Sequence, residues 1–257
     1  MSEPISRMTM HNVGGADGGR LDIFLRKLLG QCRLSTIDQQ HLLALPFQLR
    51  DLPAQASILH EGDSARVCPI LLSGFAYRYK IAADGGRQIV SLRIPGDPLD
   101  FQSLYLQTID HHMQALTPVS LALVPLPALE QLAEARPSIA RAILVDILIE
   151  ASIGREWQLN IGRRHALPRL AHFLCEFVYR MQLIFAHSSD EIEVPITQEQ
   201  LADILGLTPV HVNRTLKTIE QAGAVVRKGR RLYTRDVAAL AQLADFTPLY
   251  LHRDNAN

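Results

Sequence analysis

The side chains best suited to chemistry lie near the C-terminus, on one face of a short predicted helix. Arg214 can bond O6 and N7 of a guanine together, because its guanidinium is a planar fork. Asn213 or His211 can add a contact to a base edge, and Lys217, one turn further along, suits a phosphate. Val210 can pack on the methyl group of a thymine. This face predicts contact with the major groove of double-stranded DNA.

Two helices and a tight turn must hold this face in place, and local residue types predict all three. Thr197 begins a capping box with Gln200, so a first helix is expected to follow it. Gly206 supplies the tight turn. Thr208 then caps a second helix, with Pro209 at its first position. The pattern predicts a helix-turn-helix whose second helix carries the polar face.

A basic wing follows the second helix, as two short strands within Val225–Tyr233. From Pro209 to Arg235 there are seven Lys or Arg and one acid, Glu220, so this window carries 7 − 1 = +6. An alternative is a three-helix protein-binding module whose charges are merely solvated. The agreement of caps, turn and wing favours DNA. The residues predicted to contact DNA are Thr197, Thr208, Pro209, Val210, His211, Asn213, Arg214, Lys217, Arg227, Lys228, Arg230 and Arg231.

Length and composition are those of a globular protein with two modest domains. The chain has 257 residues and no net charge, so any basic surface must be local. No run approaches the ~20 apolar residues of a membrane helix. Residues 1–20 contain no signal-peptide core and are expected to form a flexible tail. The three cysteines are scattered, which suits a reducing compartment, and we expect a cytoplasmic protein without membrane contact.

The segment from Ile58 to Leu126 has the pattern of short strands separated by turns. Glycines mark its turns, at Ser73-Gly74 and at the hairpin Asp84-Gly85-Gly86. Strands at this spacing predict an all-β sandwich or barrel. The preceding stretch, Leu21–Leu45, has helical periodicity.

A long helix is predicted from Pro137 to about Arg164, without a further proline. At ~40 Å such a helix exceeds what one small domain can cover, so we expect it to form a dimer interface. The alternative is a helix packed on its own domain. A second helix is expected from Leu167 to Leu183. The predicted interface residues are Ile143, Ile147, Gly154, Trp157 and Ile161.

The order of these segments resembles the Crp/Fnr superfamily of bacterial transcription regulators. The matching motifs are Ile58–Asp63, Pro95–Asp97, Ile196–Asp203 with Gly206, and Val212–Arg214. The resemblance implies an α+β fold: a flexible tail (1–20), a β-roll effector-binding-like domain with flanking helices (21–136), a dimerisation helix (137–164) and a winged helix-turn-helix (165–250). It also implies a homodimer that binds a palindromic operator and contacts RNA polymerase.

Several positions depart from the ligand sets of known members. Cyclic-AMP-binding members carry a Gly-Glu pair where this chain has Asp100-Phe101, and an Arg-Ser pair where it has His111-His112. They also carry a Thr-Ser pair where this chain has Gly154-Arg155. Losing the arginine removes a charge-assisted contact to phosphate. The four cysteines of iron–sulfur members are also missing. We therefore expect neither cofactor, and three alternatives stay open: an unusual small-molecule effector, a haem or metal, or no ligand at all with control by protein abundance. The candidate effector-pocket residues are Asp100, Phe101, His111, His112 and Arg155.

Other reactive side chains fit structural roles better. Adjacent histidines in a strand point to opposite faces, so His111 and His112 are not expected to share a metal. Cys68 and Cys175 lie among apolar residues and are expected to pack in the core. No arrangement of residues suggests catalysis, and we expect no enzyme. The alternative function is a cyclic-nucleotide-type ligand-binding module that acts through protein contacts without DNA.

Overall fold

The computed structural model describes residues 20–185, 191–229 and 231–252. Residues 1–19 of the predicted tail, and Arg230 of the predicted wing, lie outside this part. Within it, no helix is long and apolar enough to cross a membrane.

Two short helices precede the sheets, where the sequence predicted one helical stretch. They are α1 (Asp22–Leu29) and α2 (Thr36–Leu43). The break has a local cause, because Ser35 and Asp38 form a capping box that starts α2 afresh. The buried face of α1 packs against the sheets through Phe24 and Leu28.

Seven strands form two facing antiparallel sheets, as the all-β pattern predicted for this segment. One sheet has the order β1-β7-β3 and the other β2-β6-β4-β5. At the predicted turn, Gly74 has φ +79°, and a Cβ there would lie 2.1 Å from the carbonyl oxygen of Pro118. Only glycine fits that position. The strands are β1 (Gln48–Leu52), β2 (Ser57–Leu59), β3 (Val67–Ser73), β4 (Ala76–Ile81), β5 (Arg87–Arg93), β6 (His112–Ala115) and β7 (Val119–Pro125).

Three helices follow the roll: α3 (Leu126–Ala135), α4 (Pro137–Arg163) and α5 (Ala166–Phe185). The predicted long helix and the helix after it are both confirmed. Pro137 occupies the first turn of α4, where its missing N–H has no helical partner to lose.

Two of the five residues predicted for the dimer stripe of α4 are buried within their own chain, so their assignment to a dimer interface was wrong, whereas the assignment of the other three stays a prediction. Ile143 is 1% exposed in the core beside α1, and Trp157 is 6% exposed in the core around α5. The Trp157 indole N–H donates to the Glu176 carboxylate at 3.0–3.1 Å. The other three positions are half-buried: Ile147 and Gly154 line a cavity, and Ile161 packs near Gly206.

A different stripe of α4 is exposed, about one residue further along. Because one residue turns a helix by roughly 100°, it lies about a quarter of a turn from the predicted one. Leu144, Leu148 and Leu159 are 52%, 56% and 46% exposed. Ala151 and Arg155 lie between them and are also exposed. The spacing of three and four residues is that of a helix seam. We call these five residues the α4 seam.

The C-terminal unit is a small three-stranded sheet with three helices. Its elements are β8 (Glu193–Val194), α6 (Gln198–Leu205), α7 (Pro209–Gln221), β9 (Val225–Lys228), β10 (Arg231–Thr234) and α8 (Val237–Ala244), followed by a 3₁₀ turn at Pro248–Leu251. The sheet order is β8-β10-β9. The predicted wing thus has a third strand that the sequence pattern did not show.

This unit rests on the roll through both apolar and polar contacts. The Phe75 and Phe177 rings lie 5.8 Å apart, and Tyr77 belongs to the same core as α5. At the hairpin between β4 and β5, Arg87 pairs with Asp203 of α6 at 2.6 Å. These contacts fix α6 against the roll.

Candidate nucleic-acid interface

The first helix of the predicted helix-turn-helix is built as its capping residues require. The Thr197 hydroxyl accepts a hydrogen bond from the backbone N–H of Gln200 at 3.2 Å. In return, the side-chain oxygen of Gln200 accepts one from the backbone N–H of Thr197 at 2.9 Å. At the other end Gly206 has φ +61° and ψ +41°. This left-handed conformation strains any residue with a Cβ, so the glycine sets the turn between α6 and α7.

The second helix, α7, begins at Pro209 as predicted. The Thr208 hydroxyl accepts from the backbone N–H of His211 at 3.3 Å, which satisfies one of the free N–H groups at the helix start. Val212, Leu216 and Ile219 are each at most 2% exposed and pack in the core. The opposite side of α7 is thereby turned outward.

The outward side carries most of the residues predicted to read DNA. Val210 is 81% exposed, although a large apolar side chain usually avoids water. Arg214 and Lys217 are also exposed, one turn apart, on the same side. His211 and Asn213 are half-buried at its edge. An exposed guanidinium beside an apolar side chain can contact a base edge and a thymine methyl together.

Arg227 is held against α7 and does not extend freely from the wing. Its Nη1 and Nη2 donate to Oδ1 of Asn213 at 3.4 and 3.3 Å. Its Nε lies 3.6 Å from a carboxylate oxygen of Glu220. Asn213 therefore has its amide oxygen engaged within the protein, while its amide nitrogen remains available to a base acceptor.

The two other described wing cations have acidic partners on β8 or just before it. Lys228 pairs with Glu191, and its Nζ lies 5.0 Å from the centre of the Tyr233 ring. Arg231 pairs with Glu193 at 3.2 Å. The +6 counted along the window is partly offset in the fold, because the sheet brings in acids from outside that window. These pairs are exposed, so phosphates can compete for the cations.

Two family models match this chain. One describes a Crp-like helix-turn-helix domain and matches residues 168–243, and the other describes a cyclic nucleotide-binding domain and matches residues 49–136. The chain belongs to the Crp/Fnr family. It is a DNA-binding transcription regulator, built as a β-roll joined to a C-terminal helix-turn-helix.

Individual members of the Crp/Fnr family show how far the similarity extends. The chain is 26% identical to transcriptional activator protein FnrL of Cereibacter sphaeroides, over 76% of this chain and 79% of that one. It is 32% identical to nitrogen fixation regulation protein FixK of Bradyrhizobium diazoefficiens, over 60% and 64%. The structure of FixK2 from Bradyrhizobium japonicum has a TM-score of 0.69 and 25% identity, over 77% and 96%.

The five candidate effector-pocket residues differ in their surroundings. Asp100, Phe101 and His111 are each at most 3% exposed, and Phe101 packs edge-on against Phe24. Arg155 is exposed on the α4 seam. None of the five lines the cavity that lies between α1 and α5. Asp100, Phe101 and His111 therefore fill space in the core instead of bordering that cavity, and the assignment of the five residues to an effector pocket stays a prediction.

The reactive side chains outside the interface are placed in packed surroundings. His111 is buried, whereas His112 is half-buried and stacks on Tyr79 at 5.0 Å. Burial raises the pKa of Cys68 and that of Cys175 to about 12, so both remain thiols. Among the described residues, no group of three or more His, Cys, Asp and Glu could hold a metal ion.

Proposed function

We propose that the protein binds a palindromic operator as a homodimer, with α7 of each chain in the major groove. The observation that carries this proposal is the outward side of α7, where Arg214 and Lys217 stand exposed beside Val210. The α4 seam supports the dimer, since three leucines about half exposed on one helix face are suited to a second copy of that face. Operator half-sites are then expected one helical turn apart, ~34 Å.

Within this proposal, 21–136 acts as the effector-binding-like domain, 137–164 as the dimerisation helix and 165–250 as the DNA-binding domain. The same role in transcription implies that the protein contacts RNA polymerase, is located in the cytoplasm and has no catalytic activity. Arg214 reads a guanine, and the basic wing contacts phosphate. Arg230 is included in the wing from the sequence alone.

Arg214→Lys tests whether Arg214 recognises a base or only contributes positive charge. Lysine keeps the positive charge but loses the fork that bonds two acceptors at once. On an operator selected from random DNA, we expect Arg214→Lys and Arg214→Ala each to lose ~1–3 kcal/mol of discrimination at one guanine. Only Arg214→Ala should also weaken non-specific binding. Gel-shift titrations at several salt concentrations measure both quantities.

Two outcomes contradict the proposal. If Arg214→Lys discriminates as well as the unmodified protein, Arg214 does not read a base. If the unmodified protein shows no salt-dependent DNA affinity, the alternative of a ligand-binding module that acts through protein contacts is favoured. Arg50→Ala, an exposed arginine on β1, is the matched control for loss of charge.

A further inference from the structure

A cavity of about 300 Å³ lies where α1, β5, α4 and the last turns of α5 meet. It is separate from the exposed side of α7. Gly30 and Gln31 border it after α1, Ser91 on β5, and Gly154 on α4. Helices α1 and α5 therefore contribute to its wall together with the roll and α4.

The charged part of the wall has an excess of cations. Five positive side chains and three carboxylates line the cavity, which leaves 5 − 3 = +2. The cations are Arg26, Lys27, Arg78, Arg93 and Arg180, and the carboxylates are Asp97, Asp146 and Glu150. A further anionic group in this space is electrostatically favoured, because the effective dielectric constant of a partly enclosed cavity is low.

The three carboxylates are already shared among four of these cations. Lys27 bonds Asp97 and Asp146, each at 2.7 Å. Asp97 also pairs with Arg180 at 2.9 Å. Lys27 and Arg180 are therefore both neutralised at least in part by Asp97.

The two remaining pairs share one acid. Glu150 of α4 pairs with Arg78 at 2.5 Å and also with Arg93. Arg78 and Arg93 are only 9% and 3% exposed, yet the Nε–H of each has no acceptor. Buried donors are nearly always satisfied, so these two guanidinium groups are short of acceptors and their positive charge is incompletely compensated.

Arg26 stands at the edge of the cavity and is the least constrained cation. Its Nη1 donates to the carbonyl oxygen of Ile184 at 2.9 Å, and it makes no ion pair with any described carboxylate. The side chain itself is exposed. It can therefore turn toward a bound anion without breaking a salt bridge.

The other part of the wall is apolar. Its residues include Val90, Ile147, Ile153, Leu183 and Leu251. A Cβ built at Gly154 meets no atom within 4 Å, so the cavity is open at this point of α4. One side of the space thus suits a hydrocarbon and the other suits a negative charge.

We propose that this cavity binds an organic anion with an apolar body, of the class of a medium-chain carboxylate. Its charged group is attracted by the guanidinium groups of Arg78, Arg93 and Arg26, and its body lies along Ile147 and Gly154. That such a ligand regulates DNA binding rests on the proposed function, whereas binding of the ligand itself can be measured without DNA.

Isothermal titration calorimetry of the full chain with octanoate and with naphthalene-1-sulfonate tests the site. Octanol, which has the length of octanoate but no charge, is the control ligand. We expect one octanoate per chain, and about tenfold weaker binding of octanol, which corresponds to ~1.4 kcal/mol. Arg26→Gln should weaken octanoate by a similar factor, and Arg50→Gln should not.

Gly154→Leu fills the cavity, and Gly162→Leu is its matched control on the same helix. Both glycines are in α4 with open space around a built Cβ, but only Gly154 lines the cavity. Gly154→Leu should abolish octanoate binding and Gly162→Leu should leave it unchanged. The proposal is overturned if neither anion binds at millimolar concentration, if octanol binds equally well, or if Gly154→Leu binds like the unmodified chain. A chain that binds octanoate but no selected DNA overturns the proposed function alone.

Discussion

Replacing one leucine of the α4 seam should weaken the dimer by a predictable amount. Leu148 is 56% exposed in the single chain, so more than half of its surface is still available to a partner. Full burial of a leucine contributes about 1.5–3 kcal/mol. Alanine retains the Cβ but loses the rest of this exposed surface. Burial of the lost part against a partner is then worth about 1 kcal/mol in each chain.

A two-fold interface presents Leu148 twice, so Leu148→Ala should cost about 2 kcal/mol per dimer. At 1.4 kcal/mol for each factor of ten, the dimer dissociation constant should rise about 30-fold. Sedimentation equilibrium over a range of protein concentrations measures this constant directly. The expected loss is large enough to separate from experimental scatter.

Leu106→Ala is the matched control, because Leu106 is 55% exposed and lies in a loop of the roll. It should leave the dimer unchanged. Trp157→Phe tests the other face of α4, since it removes the indole N–H that donates to Glu176. It should lower the free energy of unfolding without a comparable effect on dimerisation. Equal weakening by Leu148→Ala and Leu106→Ala, or no weakening by Leu148→Ala, would refute the assignment of the seam.

Three further predictions concern pH, backbone conformation and charge. Burial, together with nearby Arg164, lowers the pKa of His172 from 6.5 to about 4, so the neutral ring is favoured in the folded protein. The free energy of unfolding should fall as pH drops from 6.5 toward 4, by about 2 kcal/mol at pH 5, and urea titrations should show a shallower fall in His172→Phe. Gly206→Ala should cost ~1–2 kcal/mol in thermal unfolding, because its φ is +61°; no loss would contradict the strain. Glu193→Gln releases Arg231 and should steepen the salt dependence of DNA binding by up to about one unit, and an unchanged slope would show that Arg231 meets no phosphate.

The helix-turn-helix could be predicted closely because its signals are local. Thr208 and Pro209 fix the start of α7 through one hydrogen bond and one restricted φ angle, and neither depends on distant residues. Gly206 sets the turn through its own left-handed conformation. The glycine turns of the roll could be predicted for the same reason.

The α4 seam could not be placed correctly from periodicity alone. An apolar helix on a domain surface has two apolar stripes, one for its own core and one for a partner. The stripe with Ile143 and Trp157 is the more strongly apolar, yet it packs on its own roll and on α5. The exposed leucines at 144, 148 and 159 were present in the sequence, but only the fold shows which stripe the chain itself covers.

Charge counting along the chain gives the net charge of a window but not the partners of its cations, for a related reason. Glu191 and Glu193 lie outside the window that gave +6, and pairing of β8 with β10 brings Glu193 beside Arg231. Glu220 lies inside the window, but it and Asn213 meet Arg227 only because β9 returns alongside α7. Cross-strand partners depend on a topology that a window of sequence does not contain.

The junction between the roll and the C-terminal unit determines where α7 points. On one side of it, Gln88 donates to the carbonyl oxygens of Asp203 and Ile204 at 2.7 and 3.1 Å, at the end of α6 that leads into α7. On the other side, Arg180 of α5 bonds Asp97 of the roll. Polar contacts of this kind can be exchanged at lower cost than a packed apolar core. Arg180 and Asp97 also line the cavity. An anion bound there therefore changes the electrostatics of the same contacts that orient α7.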